Sequence, residues 1–200
     1  MTWLPFDLHP EYAVEGIPRA QLYARYGDGH VERLRDAFAA LGLVYNPPPE
    51  VVPNTMRALR LTELARASDL HQPFHDRLML AYWEEATDIG DPDELKVLAA
   101  EVGLDDDEVA RVLGGDDLRD IVLGSTSQAQ SIGITGIPAF VLDRRQLVLG
   151  AQPRPVFERI LATLGYSPAG DRSTLDSDGE RREDRTHEHD RGEHRDQPQP

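Results

Sequence analysis

The sequence predicts an α/β chain in which a block of helices interrupts a small strand-containing unit. Three observations carry that reading. A short apolar-alternating stretch opens the chain at Trp3–Leu8. Apolar residues then recur at three- and four-residue spacing from about Asn54 to Ser131. Two compact apolar runs, Ile137–Leu142 and Leu147–Leu149, follow, separated by four polar residues.

Taken in order, Trp3 (or Leu4), Phe6 and Leu8 alternate as in a strand, and Pro5 restricts it to an edge or a bulge. Pro10 to Pro18 reads as an irregular connection. Leu22, Tyr26, Val31, Leu34, Phe38 and Leu41 form a helical stripe, which Gly42 stops. Asn46-Pro47-Pro48-Pro49 is a linker, and Asn54 is placed to cap a helix whose face is Met56, Leu59, Leu61 or Thr62, and Ala65. Phe74, Leu78, Ala81 and Tyr82 mark the next stripe. Asp91-Pro92-Asp93-Glu94 is a strong helix start, with an acid at the N-cap, proline at the first position and glutamate at the third. Gly103 closes that helix, and Asp105 with Glu108 repeats the pattern. A last segment of the block runs from about Asp116 to Ser131, with Leu118, Ile121, Val122 and Ala129 expected inward. Asp143-Arg144-Arg145-Gln146 is the turn of a hairpin with one or both faces buried. Pro155 to Leu164 ends the folded body with Phe157, Ile160, Leu161 and Leu164 on one face.

Composition narrows the function classes. The chain has 200 residues, 40% of them apolar, and a net charge of −15. An acidic surface repels phosphate backbones, and neither a basic cluster nor arginines interleaved with aromatics is present, so nucleic acid is not an expected partner. No run approaches the ~18 apolar residues of a membrane span. Met1–Pro10 shows no signal-peptide pattern, and a cytoplasmic protein with no membrane partner is expected. The single lysine, Lys96, among many arginines reflects base composition rather than function. From Ser167 to Pro200 the only aliphatic residues are Ala169 and Leu175, against ten acidic residues and six arginines, so this acidic tail is expected to be disordered. His187, His189 and His194 lie in that tail, where solvation accounts for them better than a metal does. Asp105–Glu108 lacks the spacing and glycine of a calcium loop and is better explained as helix capping. No metal site and no cofactor are expected. His75 reads as a satisfied helix histidine and Trp83 as packing. Read from the residues alone, Pro138 opens an edge strand in the ordinary trans form, and Thr135, Gly136 and Ile137 make a plain turn.

Several pieces, in order, resemble a known family. These are Trp3-x-Pro5-Phe6-x-Leu8-x-Pro10 with Glu15-Gly16, then Pro53-Asn54-Thr55, Phe74-His75, Ala81-Tyr82-Trp83 and Asp88-Ile89-Gly90-Asp91. Gly133-Ile134-Thr135-Gly136-Ile137-Pro138-Ala139-Phe140-Val141 and Leu149-Gly150-Ala151-Gln152-Pro153 complete the set. Together they are similar to the DsbA-like thioredoxin-fold oxidoreductases of the FrnE-like group, over about Trp3 to Gly165. The resemblance implies a thioredoxin-like α/β fold with an inserted all-helical domain, here lacking the first strand and the helix that carries Cys-x-x-Cys. It divides the chain into 1–53, the remainder of the N-terminal half; 54–131, the inserted helices; 132–166, the C-terminal hairpin and helix; and 167–200, the tail. It also implies a central strand absent between Trp3–Leu8 and Pro138–Leu142, leaving open edges that template association.

The family's activity is thiol–disulfide exchange, which requires a thiolate and a resolving thiol. This sequence contains no cysteine, so no residue is assigned a catalytic role. The resemblance makes Ile137–Pro138 a cis bond and assigns Thr135, Gly136, Ile137 and Pro138 to substrate binding, with the Ile137 backbone presented to an extended peptide or a thiol-containing substrate. Two other readings share the residues: a non-enzymatic binding module, and a kappa-type glutathione-dependent isomerase or transferase acting through a serine of the first helix.

Overall fold

A computed structural model describes residues 1–46 and 49–166, without the side chains of Tyr26 and His30; the tail expected to be disordered lies outside them. By compactness the chain forms two units. Among the described residues, one comprises Met1–Val141 with Leu147–Ala151, and the other Leu142–Gln146 with residues 152–166.

In the first unit, β1 (Ile17–Pro18) pairs antiparallel with β2 (Val51–Val52), Ile17 opposite Val52. Gly16 enters this pair at φ +76°, and a Cβ there would lie 2.3 Å from the Val52 carbonyl oxygen, so only glycine fits. Neither two-residue strand is visible as an alternating pattern. Between them, α1 (Arg19–Tyr26) and α2 (Gly29–Ala40) replace the single expected stripe. The helix breaks because Gly27 takes φ +76° and its N–H closes on the Tyr23 carbonyl at 2.8 Å. Gly42, at φ +69°, lies just beyond the end of α2, as expected.

Five helices follow: α3 (Met56–Ala67), α4 (His71–Trp83), α5 (Pro92–Glu101), α6 (Asp106–Gly114) and α7 (Arg119–Ser131). The starts of α5 and α6 obey local chemistry. The Asp91 carboxylate accepts from the Asp93 amide at 2.7 Å, and that of Asp105 from the Asp107 and Glu108 amides at 3.0 Å each. Asn54 works slightly differently from a plain cap. Its side-chain oxygen accepts from the Met56 amide at 3.0 Å while its NH₂ donates to the Tyr12 carbonyl at 2.9 Å, tying α3 to the N-terminal connection. The core sits among α3 to α6, with Leu61, Phe74, Leu95, Leu98 and Val112 sealed from water. Burying such side chains contributes about 1.5–3 kcal/mol each.

Three expectations are corrected here. Trp3–Leu8 is not a strand. A strand requires a neighbour for its backbone groups; here helix α7 satisfies some of them instead. The Ser125 hydroxyl donates to the Pro5 carbonyl at 2.7 Å, and the Asp7 N–H donates to the Thr126 hydroxyl at 2.9 Å. Second, α7 begins at Arg119 rather than near Asp116, after Leu118 in a left-handed conformation at φ 66°. Its Ile121, expected inward, is exposed, whereas Val122 and Thr126 are buried. Third, the hairpin of β3 (Ala139–Leu142) and β4 (Gln146–Leu149) buries only Val148, leaving Val141 and Leu149 largely exposed. Its turn forms as the polar residues predict: Asp143 and Arg144 both have positive φ, and Arg145 N–H returns to the Leu142 carbonyl at 3.0 Å.

In the second unit, α8 (Arg154–Thr163) carries the expected stripe of Phe157, Ile160, Leu161 and Leu164, each half-buried.

Candidate functional site

The loop between α7 and β3 is built from its anchors outward. Helix α7 ends in a tight closure: Ile134 N–H returns to the Ala129 carbonyl at 3.0 Å, and the Ile134 side chain is buried. At the other end, the Pro138 carbonyl accepts from Gly150 N–H at 2.8 Å, extending the hairpin by one bond. Four residues span these fixed points. Thr135, Ile137 and Pro138 are exposed and Gly136 is half-buried. The Ile137–Pro138 peptide is cis. Ile137 is 58% exposed, and among the described residues neither its N–H nor its C=O is hydrogen-bonded. The loop therefore presents an apolar side chain together with a donor and an acceptor on one residue, the elements that pair an extended backbone.

The other residues weighed on sequence grounds have structural roles. His75 stacks on Trp3 with ring centroids 5.3 Å apart and on His71 at 6.1 Å. Burial, followed by the charge of Arg66, lowers the His71 pKa. Trp83 packs with Phe38 at 5.4 Å and Tyr82 at 4.8 Å. Asp105 is engaged in capping, and among the described residues no three histidine, aspartate or glutamate side chains cluster as metal ligands. No described helix is long and apolar enough to cross a membrane. The three tail histidines lie outside the described residues.

Among the described residues three buried charged residues escape a reading of apolar stripes: Glu63, paired with Arg66 at 3.1 Å, Asp7 and Arg60. Asp7, 7% exposed, has the backbone amide of His9 beside its carboxyl group. Burial, with Glu11 adding repulsion, nonetheless holds its carboxyl above the usual aspartate range against the opposing pull of that amide and of Arg119. Arg60, 4% exposed, sits on the face of α3 toward the α6–α7 junction, where it donates to the carbonyls of Asp117 at 2.7 Å, Gly115 at 2.6 Å and Val112. Burial lowers its pKa, yet a guanidinium remains charged in proteins. Arg60 stands between Leu59 and Leu61 in the sequence, and only the carbonyls of a distant junction give it a reason to turn inward. Gly114-Gly115 was the one legible hint that backbone is exposed there for a side chain to reach.

Residues 1–162 match the DSBA-like thioredoxin domain family. Among curated proteins, the chain is 26% identical over 164 residues to the uncharacterized protein YwbO of Bacillus subtilis strain 168, covering 81% of this chain and 80% of that one. Among solved structures, it is similar to a probable DsbA oxidoreductase from Streptomyces coelicolor. The TM-score is 0.73 and the identity 31%, over 82% of this chain and 75% of that one. The fold is thus the DsbA type of thioredoxin fold, largely helical with few strands, as the ordered motifs imply. The sequence contains no cysteine. With both the matched family and the architecture in agreement, this chain belongs to the DSBA-like thioredoxin domain family.

Proposed function

We propose that this chain acts as a peptide-binding member of the DsbA family, holding an extended segment at Thr135–Pro138 without exchanging disulfides itself. The single observation that supports this reading is Ile137, whose exposed side chain is accompanied by a free backbone donor and acceptor. An extended peptide would add main-chain hydrogen bonds at Ile137, and the isoleucine would contribute an apolar contact for one of its side chains. Disulfide exchange is outside the chemistry of the residues given. A mixed disulfide needs a thiolate, and hydroxyls neither form one nor cycle redox states. Membership of the FrnE-like group and a cytoplasmic setting are part of the same proposal, the former supported by the ordered motifs from Trp3 to Pro153.

The test is binding of fluorescently labelled unstructured peptides by polarisation, with a disulfide-reduction assay alongside. Saturable binding that Ile137→Asp weakens at least tenfold, with an unchanged melting temperature and no disulfide turnover, is expected. Peptide affinity indifferent to Ile137→Asp, or genuine turnover of a disulfide substrate, would remove the proposal.

A further inference from the structure

A cavity of about 290 Å³ opens between the N-terminal segment, α3 and the α6–α7 junction, all within the first unit. That size is at the small end for ligand sites, about 300–1,000 Å³. Its apolar wall includes Tyr12, Met56 and Leu123. Its charged lining is Arg57, Arg60 and Arg119 against Asp7 and Asp116, an excess of one positive charge in a chain whose net charge is −15.

Arg60 is held more firmly than the other two arginines. Its Nε and Nη2 are committed to three backbone carbonyls, which fix the plane of the guanidinium. Its Nη1 has no hydrogen-bond partner among the described residues. Among the described residues no fully buried side-chain nitrogen or oxygen is left without a partner, so Nη1 must reach open space, and Arg60 borders this cavity. The side chain of Arg119, at the first turn of α7, makes no hydrogen bond or salt bridge among the described residues, while its backbone N–H donates to the Asp116 carbonyl at 3.1 Å. Arg57 spends Nη1 on the Gly90 carbonyl at 3.1 Å. A rigid, nearly buried cation with one uncommitted nitrogen, beside a second unpaired cation, is an arrangement suited to a planar anion.

We infer that this cavity binds a small monocarboxylate with an apolar body, its carboxylate on Arg60 Nη1 and the Arg119 guanidinium and its body against Tyr12, Met56 and Leu123. A single negative charge matches the excess of one cation. Asp7 and Asp116 in the same wall repel a second, which disfavours phosphate and dicarboxylates. The inference is independent of peptide binding at Ile137.

Calorimetric titration of the whole chain with benzoate and hexanoate, against benzamide and hexanol as uncharged counterparts and inorganic phosphate as a competing anion, tests it. One acid is expected to bind saturably at one site per chain, at least tenfold tighter than its uncharged counterpart and than phosphate. Arg119→Gln should weaken that acid tenfold or more with an unchanged melting temperature. Asp7→Asn should tighten it severalfold, an effect that loss of structure would not produce. Because Arg60→Gln strips three carbonyls of their donor and can unfold the chain, the Arg119 and Asp7 variants decide. Absence of saturable binding by either acid, equal binding of acid and uncharged counterpart, tighter binding of phosphate, or affinity indifferent to Arg119→Gln would each overturn the inference.

Discussion

The helices α3–α6 and the strand segments of this chain solve the same problem in opposite ways. Each of the four helices satisfies most of its own backbone polar groups and then needs only an apolar face to bury. Phe74, Leu61, Leu95 and Leu98 meet that need among themselves. The strand segments satisfy nothing alone. Ile17–Pro18 and Val51–Val52 pair for two residues. Trp3–Leu8 has strand-like alternation and no strand partner among the described residues, so side chains of α7 take over part of the work. Alternation in a sequence is thus a statement of capacity that a neighbouring strand must complete, whereas a helical stripe is close to self-sufficient.

Phe74→Ala should break the comparison at its strong end. It empties a fully buried site and should cost about 3–5 kcal/mol. Ile137→Ala, at an exposed loop position, should stay within about 0.5 kcal/mol. Urea denaturation followed by far-ultraviolet circular dichroism measures both, and comparable losses would show that the helical core is not where stability resides.

Thr126→Val probes the weak end. The Thr126 hydroxyl accepts from Asp7 N–H while donating to the Val122 carbonyl at 2.9 Å. Valine keeps the shape and leaves a buried amide unpaired, for a cost of about 1–3 kcal/mol. Hydrogen exchange at the Asp7 amide should accelerate while amides of α3 and α5 hold their protection. Unaltered exchange at Asp7 would mean that the segment is held by other contacts.

The smallest effect is a pH dependence localised to the same segment. With its pKa raised in the folded state, Asp7 binds its proton more tightly folded than unfolded. Stability should therefore fall as pH rises from the usual aspartate range through the raised value, then level off. Glu11 reinforces the shift, and Arg119 and His9 oppose it. Asp7→Asn, which still offers an oxygen to the His9 amide, should show a flatter profile of urea midpoint against pH between about 3 and 7. Parallel profiles for the two proteins would assign the dependence to other groups.

Much of the helical architecture was legible because its signals are short-range. Asp91-Pro92-Asp93-Glu94 starts a helix by bonds that span two or three residues, and the Asp143-Arg144 turn forms within four. The candidate loop was legible as the run from Gly133 to Val141, and its exposure and unpaired Ile137 backbone were added by the structure. The fold family followed from the order of several such pieces. The break at Gly27 coincides with a five-residue step from Tyr26 to Val31, which interrupts the three- and four-residue spacing on either side of it.

What the sequence determined by itself, then, is the capped starts of α5 and α6, most of the apolar faces of the helical block, and that no thiol chemistry is available to residues without sulfhydryls. What only the tertiary structure decided is the fate of groups whose partners are far away along the chain. Trp3–Leu8 became an irregular segment because hydroxyls about 120 positions distant reached its backbone first. Arg60 turned inward because three carbonyls more than 50 positions on needed a donor. The physical reason is common to both. A buried polar group must be paired, and the identity of its partner is set by which segments meet in space, a relation that neither periodicity nor composition contains.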